Sequence, residues 1–137
     1  MTTEPRLVYA DSSALVKLVI EEPESASLGA HLADGPALAT SRIALVEVTR
    51  ATALANPSPD VRAETGRLLA SCLLVDLTDD LLRAAARLAS DSVRTLDAIH
   101  LASALRIGPD ELVAYDRRLA TAAAEHGLSV AAPAGAL

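Results

Sequence analysis

Aromatic side chains are nearly missing from this chain: Phe and Trp are absent, and only Tyr9 and Tyr115 occur. A base-stacking platform of the RRM or OB-fold kind therefore lacks its parts. Cysteine occurs once, at Cys72, which rules out an internal disulfide and a zinc finger or knuckle. His31, His100 and His126 are too scattered for an H-x-x-x-H pair, so zinc hydrolase chemistry has no local support. The six glycines never fall as G-x-G, and neither G-x-x-x-x-G-K nor G-x-S-x-G occurs. The phosphate cradles of dinucleotide and P-loop sites and the nucleophile elbow of serine hydrolases are thus missing. An excess of basic charge is missing too: the formal net charge is −6. That counts against a protein whose whole surface grips nucleic acid, though not against an enzyme meeting it at one local site. No apolar run approaches the ~18 residues of a membrane helix; the longest, LLASCLLV from Leu68 to Val75, reads as core. The polar start MTTEPR leads straight into a strand-like run rather than a secretory leader, so a cytoplasmic location is expected.

What is present is 137 residues, 51% of them hydrophobic, enough for one domain with its own core over residues 1–137. Short β-branched or Leu/Val runs alternate with longer helical patterns. Strands are expected at Leu7–Ala10, Ala37–Ala39, Leu73–Leu77, Leu112–Tyr115 and Leu128–Ala131. Helices are expected between them: Ser12–Val19, Glu24–Ala33, a long one capped by Ser41 and ending near Ala55, then Pro59 to Ser71. Thr78, followed by Asp79 and Asp80, is a good helix start. Thr95 is read as the cap of a helix reaching Arg106 and stopped at Gly108–Pro109. A last helix covers Asp116–His126. The order predicts an α/β fold with a mostly parallel sheet covered by helices, whose sites collect beyond the carboxyl ends of strands.

Two acids fall at such ends in a repeated pattern, V-Y-A-D with Asp11 and V-A-Y-D with Asp116. Either one, taken alone, reads equally well as a helix N-cap. Glu47 lies in the apolar stretch IALVEV, where a carboxylate is costly without a partner; the plain alternative is an i,i+3 pair with Arg50. Asp97, in RTLDAIHLA, falls in a first helical turn, which suits a negative charge in any case. Four such acids, two after strands and two on helices next to apolar surface, suggest convergence in space. Carboxylates brought together repel, and a divalent cation relieves that repulsion. Hard oxygen ligands favour Mg²⁺ or Mn²⁺, whose chemistry suits phosphodiester hydrolysis.

These same residues carry a resemblance. DSSALVK from Asp11, SRIALVEV with Glu47, RTLDAIHLA with Asp97 and YDRRL with Asp116, followed by Ala123, Gly127 and Leu128 spaced A-x-x-x-G-L, resemble the PIN-domain ribonucleases, specifically VapC-type toxins of type II toxin–antitoxin pairs. The resemblance runs through nearly the whole chain in the family's order. It implies a three-layer α/β/α sandwich, with Asp11, Glu47, Asp97 and Asp116 as the acidic quartet holding one or two Mg²⁺ ions. Mn²⁺ is a possible substitute. Ser12 and Thr95 match small hydroxyl residues beside the first and third acids. Also implied are endonucleolytic cleavage of RNA, often tRNA or rRNA, a homodimer, and inhibition by a VapB-type antitoxin whose tail enters the acidic site.

Arg117 and Arg118, beside Asp116, are the best placed for RNA phosphate contact, ahead of Lys17, Arg42, Arg50 and Arg94. His100, at i+3 from Asp97 but set among apolar residues, is read as structural rather than as a general base. Asp76 reads as a strand-end acid without a motif. A haloacid-dehalogenase-like phosphatase would need a second Asp where Ser13 stands, and a receiver domain would need a Lys after a later strand, whereas the only lysine is Lys17. The remaining alternative is an inert PIN-like module that sequesters an antitoxin or RNA without cutting.

Overall fold

Asp11 lies where the chain leaves the central strand of a five-stranded sheet, and the path of the chain explains why that place matters. The computed structural model describes residues 5–88 and 93–135. Its strands are β1 (Leu7–Ala10), β2 (Ala37–Ser41), β3 (Leu73–Val75), β4 (Glu111–Val113) and β5 (Val130–Ala131). Helices α1 (Ser12–Lys17) and α2 (Ser25–His31) follow β1, α3 (Ala44–Ala55) and α4 (Pro59–Ser71) follow β2, and α5 (Asp79–Arg87) and α6 (Thr95–Ile107) follow β3. Helix α7 (Arg117–Glu125) joins β4 to β5.

All pairings are parallel and the order is β3-β2-β1-β4-β5. The chain builds outward from β1 through β2 and β3, then crosses back to lay β4 on the other side of β1. Strand order thus reverses between β1 and β4, the switch point where open α/β sheets leave a crevice beyond their carboxyl ends.

Both sheet faces are covered, so β1 is buried on alternate residues to both sides. Val8 and Ala10, with Val113 of β4, pack against Ala14 and Leu15 of α1, Leu28 of α2, Ala44 and Val48 of α3 and Leu69 of α4. Tyr9, Ala39 and Leu112 point the opposite way, against Leu101 and Ala104 of α6 and Leu119, Ala122 and Ala123 of α7. Helix α5 extends this second layer by packing Leu81 and Ala85 against Ala98, Ile99 and Ala102 of α6. The result is the three-layer α/β/α sandwich. Every residue of α6 from Ala98 to Ala104 is buried, which fits a helix apolar all round and rich in small side chains. Gly108 ends it in the left-handed conformation, φ 56°, which glycine adopts without a Cβ clash.

Two helix starts differ from the sequence reading. Ser41 is the last residue of β2 rather than a cap; its Oγ accepts from the Ile43 amide at 3.2 Å in a tight turn, and α3 begins only at Ala44. Thr95 is the first helical residue of α6, with Arg94 in the cap position. Thr78 does cap α5, accepting from the Leu81 amide at 3.2 Å.

Candidate metal centre at the sheet switch point

Strand β1 continues past Ala10 by one backbone bond, the Asp11 amide donating to the Val113 carbonyl at 3.1 Å. This fixes Asp11 against β4 before α1 starts. Its Oδ1 accepts from the Ala14 amide at 3.0 Å and from Ser13 Oγ at 2.7 Å, so Asp11 does cap α1. Only 4% of the residue is exposed. Burial pushes the Asp11 carboxyl up, the charge of Asp116 pushes the same way, and His100 with the Ser13 and Ala14 bonds opposes them. Ser13 Oγ also accepts from the Tyr115 amide at 3.1 Å, tying the first acid to the loop that carries the fourth.

Asp116 caps α7, its Oδ1 accepting from the Arg118 amide at 2.9 Å and the Leu119 amide at 3.2 Å. Asp97 lies in the first turn of α6, where Oδ2 accepts from the Arg94 amide at 3.2 Å. Burial raises its carboxyl too, and the charge of Asp116 adds to that against the Arg94 bond. The charge of Asp116 therefore acts on both Asp11 and Asp97.

Glu47, on α3, reaches in from the other layer of helices. Its Oε1 accepts from Ser12 Oγ at 2.7 Å and from His100 Nε2 at 2.8 Å. The sequence reading of an i,i+3 pair with Arg50 is replaced by these contacts; among the described residues the ion pair of Glu47 is with His100. Burial pushes the Glu47 carboxyl up, but the His100 and Ser12 bonds outweigh it and hold the group below the usual range. His100 is 4% exposed, with Nδ1 2.7 Å from the buried Tyr9 hydroxyl.

One feature is common to the four acids. Each is held through one oxygen, namely Asp11 Oδ1, Glu47 Oε1, Asp97 Oδ2 and Asp116 Oδ1. Among the described residues no hydrogen bond uses the other oxygen of any of them. Anchored carboxylates with one oxygen left over are the donor set a hard divalent cation uses. Among the described residues no three His, Cys, Asp or Glu side chains close on one point.

The other sequence candidates are spread more widely. Ser12 holds Glu47, while the exposed Thr95 lines a groove between α5 and α6 with Leu82, Ala85 and Arg94. Arg117 and Arg118 border an open cavity with Asp116 and Thr121. Arg42 pairs with Asp76 at 2.8 Å, and Lys17 pairs with Glu22 and Glu24 above the Tyr115 ring. Sequence reasoning missed Tyr9 and Ser13 as supports of the site. A period-2 reading of β1 puts Tyr9 inside but cannot say what its hydroxyl meets.

Comparison with known proteins bears on the family and the fold. A family model described as "PIN domain" matches residues 8–125. Ribonuclease VapC46 of Mycobacterium tuberculosis is 41% identical over 128 residues, covering 92% of this chain and 97% of that protein. Ribonuclease VapC47 of the same species is 36% identical over 134 residues, covering 93% and 97%. In structure, the chain superposes on M. tuberculosis VapC20, a Sarcin-Ricin loop cleaving toxin, with TM-score 0.72 at 19% identity, over 84% of this chain and 94% of that one. The VapBC2 structure of Rickettsia felis, bound to a promoter DNA fragment, gives TM-score 0.69 at 13% identity over 93% and 98%. The fold is therefore shared, and with family model and sequence relatives covering most of the chain, the protein belongs to the PIN-domain family, on its VapC ribonuclease branch.

Proposed function

We propose that the chain is a Mg²⁺-dependent endoribonuclease, the toxin of a VapBC-type toxin–antitoxin pair, and that Asp11, Glu47, Asp97 and Asp116 hold its metal. One observation carries this: four carboxylates around the sheet switch point, each anchored through one oxygen, with burial and mutual repulsion raising two of them. A divalent cation bound there would supply an activated water, polarise the scissile phosphoryl group and stabilise the leaving oxygen. The chain's own residues prepare that site. Ser13 and the Ala14 amide hold Asp11, Ser12 and His100 hold Glu47, and the ends of α6 and α7 hold Asp97 and Asp116. Mn²⁺ would substitute, since it accepts the same oxygen ligands.

Arg117 and Arg118 border Asp116 and bind the substrate phosphates on either side of the cut. The substrate class is structured RNA, tRNA or rRNA. The relatives' names, and VapC20's action on the Sarcin-Ricin loop, support this. An acidic crevice also suits an arginine in the tail of a VapB-type antitoxin, pairing bidentately with a carboxylate. We take the working unit to be a homodimer in the cytoplasm; no helix among the described residues is long and apolar enough to cross a membrane.

The test uses purified, antitoxin-free protein and total cellular RNA, with Mg²⁺ or Mn²⁺, with EDTA, and with the Asp97→Asn variant. Discrete fragments that vanish with EDTA and in the variant are expected, and their ends would name the target. Folded protein that cuts nothing yet still captures its antitoxin would favour an inert binding module instead.

A further inference from the structure

The Tyr9 hydroxyl is buried on the central strand. Tyr9 lies on β1 between Val8 and Ala10, is 0% exposed, and points into the layer that holds α6. A phenol in such a position needs a partner, because an unpaired buried hydroxyl loses its water for nothing in return. The Tyr9 hydroxyl lies 2.7 Å from His100 Nδ1, with the two rings edge to face at 79°, and the Ser103 and Thr40 hydroxyls also act on it. The far side of the same imidazole meets Glu47: Nε2 lies 2.8 Å from Oε1 and 3.3 Å from Ser12 Oγ. An ionised carboxylate only accepts hydrogen bonds, so Nε2 carries the hydrogen in this contact, and Tyr9 meets the ring's other nitrogen.

From this geometry we infer that Tyr9 and His100 are positioning residues for the metal centre: Tyr9 holds the His100 ring so that Nε2–H grips Glu47 Oε1, with Oε2 left over for the cation. The inference rests on the metal site proposed above and extends it inward by two shells. The chain of contacts runs from β1 through α6 to α3, which makes Glu47 the one acid whose placement depends on a side chain from the opposite layer. The other three are anchored by backbone amides of their own or adjacent turns. Without His100, Glu47 would keep only the flexible Ser12 hydroxyl on Oε1. Outer-shell partners of this kind fix the orientation of a ligand, and losing one typically weakens metal binding about 10- to 100-fold.

The test is Mn²⁺ titration calorimetry on the full-length, antitoxin-free chain, with thermal melts to confirm folding. His100→Gln places an amide nitrogen close to where Nε2 was, whereas His100→Asn places one near Nδ1 and abandons Glu47. A positioning role requires the Gln variant to keep Mn²⁺ affinity within about threefold and the Asn variant to lose about tenfold or more. Tyr9→Phe, which deletes one oxygen, is expected to weaken Mn²⁺ several-fold even where its folded fraction equals wild type. Equal Mn²⁺ affinity in folded Tyr9→Phe and His100→Asn protein would overturn the inference, as would Gln and Asn variants that lose affinity alike. Should His100→Asn fail to fold, the comparison of Tyr9→Phe with wild type decides alone. Wild-type protein that binds no Mn²⁺, with Asp97→Asn indistinguishable from it, would instead sink the metal site itself.

Discussion

At the scale of one residue, Asp11 caps a helix through one oxygen and keeps the other for the cation proposed above. Oδ1 satisfies the Ala14 amide, an orphan donor of the first turn, while Oδ2 has no partner among the described residues. Burial keeps the Asp11 carboxyl raised in metal-free protein. A raised carboxyl favours folding in its protonated form, below its unfolded value near ~3.9, and that contribution is lost as pH rises through the folded value. Asp11→Asn keeps the cap and removes the charge. In EDTA at pH 7 it should melt above wild type, the gap closing towards pH 4. A variant melting at or below wild type at pH 7 would contradict this. Ser13 is the complementary case. Ser13→Ala removes a donor from Asp11 and leaves the Tyr115 amide unpaired, a loss of about 1–3 kcal/mol in urea unfolding. The two readings of Asp11 looked exclusive in the sequence because a one-letter code does not distinguish two oxygens. His100 was read as structural from its apolar neighbours, and it is buried and hydrogen-bonded; its partner Tyr9 lies 91 positions away, and no local spacing reports such a contact.

At the scale of elements, the site is a set of starts: α1 at Asp11, α6 beside Asp97 and α7 at Asp116. Capping and function can be separated at Asp116. Serine is as good a cap as aspartate, so Asp116→Ser should hold α7 with a melting temperature within a few degrees of wild type. Metal-dependent cleavage should nonetheless fall by at least about 100-fold, more than loss of an outer-shell partner. Cleavage at the wild-type rate would remove Asp116 from the site. Thr78→Ala makes the opposite case: it removes a cap remote from the acids and should cost about 1 kcal/mol of stability with cleavage per folded molecule unchanged. Strands and helices were legible from alternating runs and from Gly/Pro stops, to within a few residues. Ser41 and Thr95 misled because a hydroxyl that accepts from an amide two residues on, or that opens a first turn, has the same sequence signature as an N-cap. What the sequence could not give was the order of the strands. Five parallel strands with helices between them are compatible with several orders, and only the placement of β4 beside β1 brings Asp116 to Asp11.

For the whole molecule, the net charge of −6 sets the terms on which RNA approaches. A general basic surface is missing, so few phosphates are neutralised and association should depend weakly on salt. A log–log slope of magnitude about 2 or less is expected, with about one unit lost in Arg118→Ala. A slope several times steeper would mean a basic footprint beyond Arg117 and Arg118. The acidic balance that seemed to count against nucleic acid in the composition fits a crevice whose acids serve a cation, with substrate contact confined to its rim. The most direct test of the central claim is anomalous diffraction from crystals of this chain grown with Mn²⁺. A peak among the carboxylates of Asp11, Glu47, Asp97 and Asp116 is expected. A well-ordered site with no anomalous density among these carboxylates at millimolar Mn²⁺ would contradict the claim.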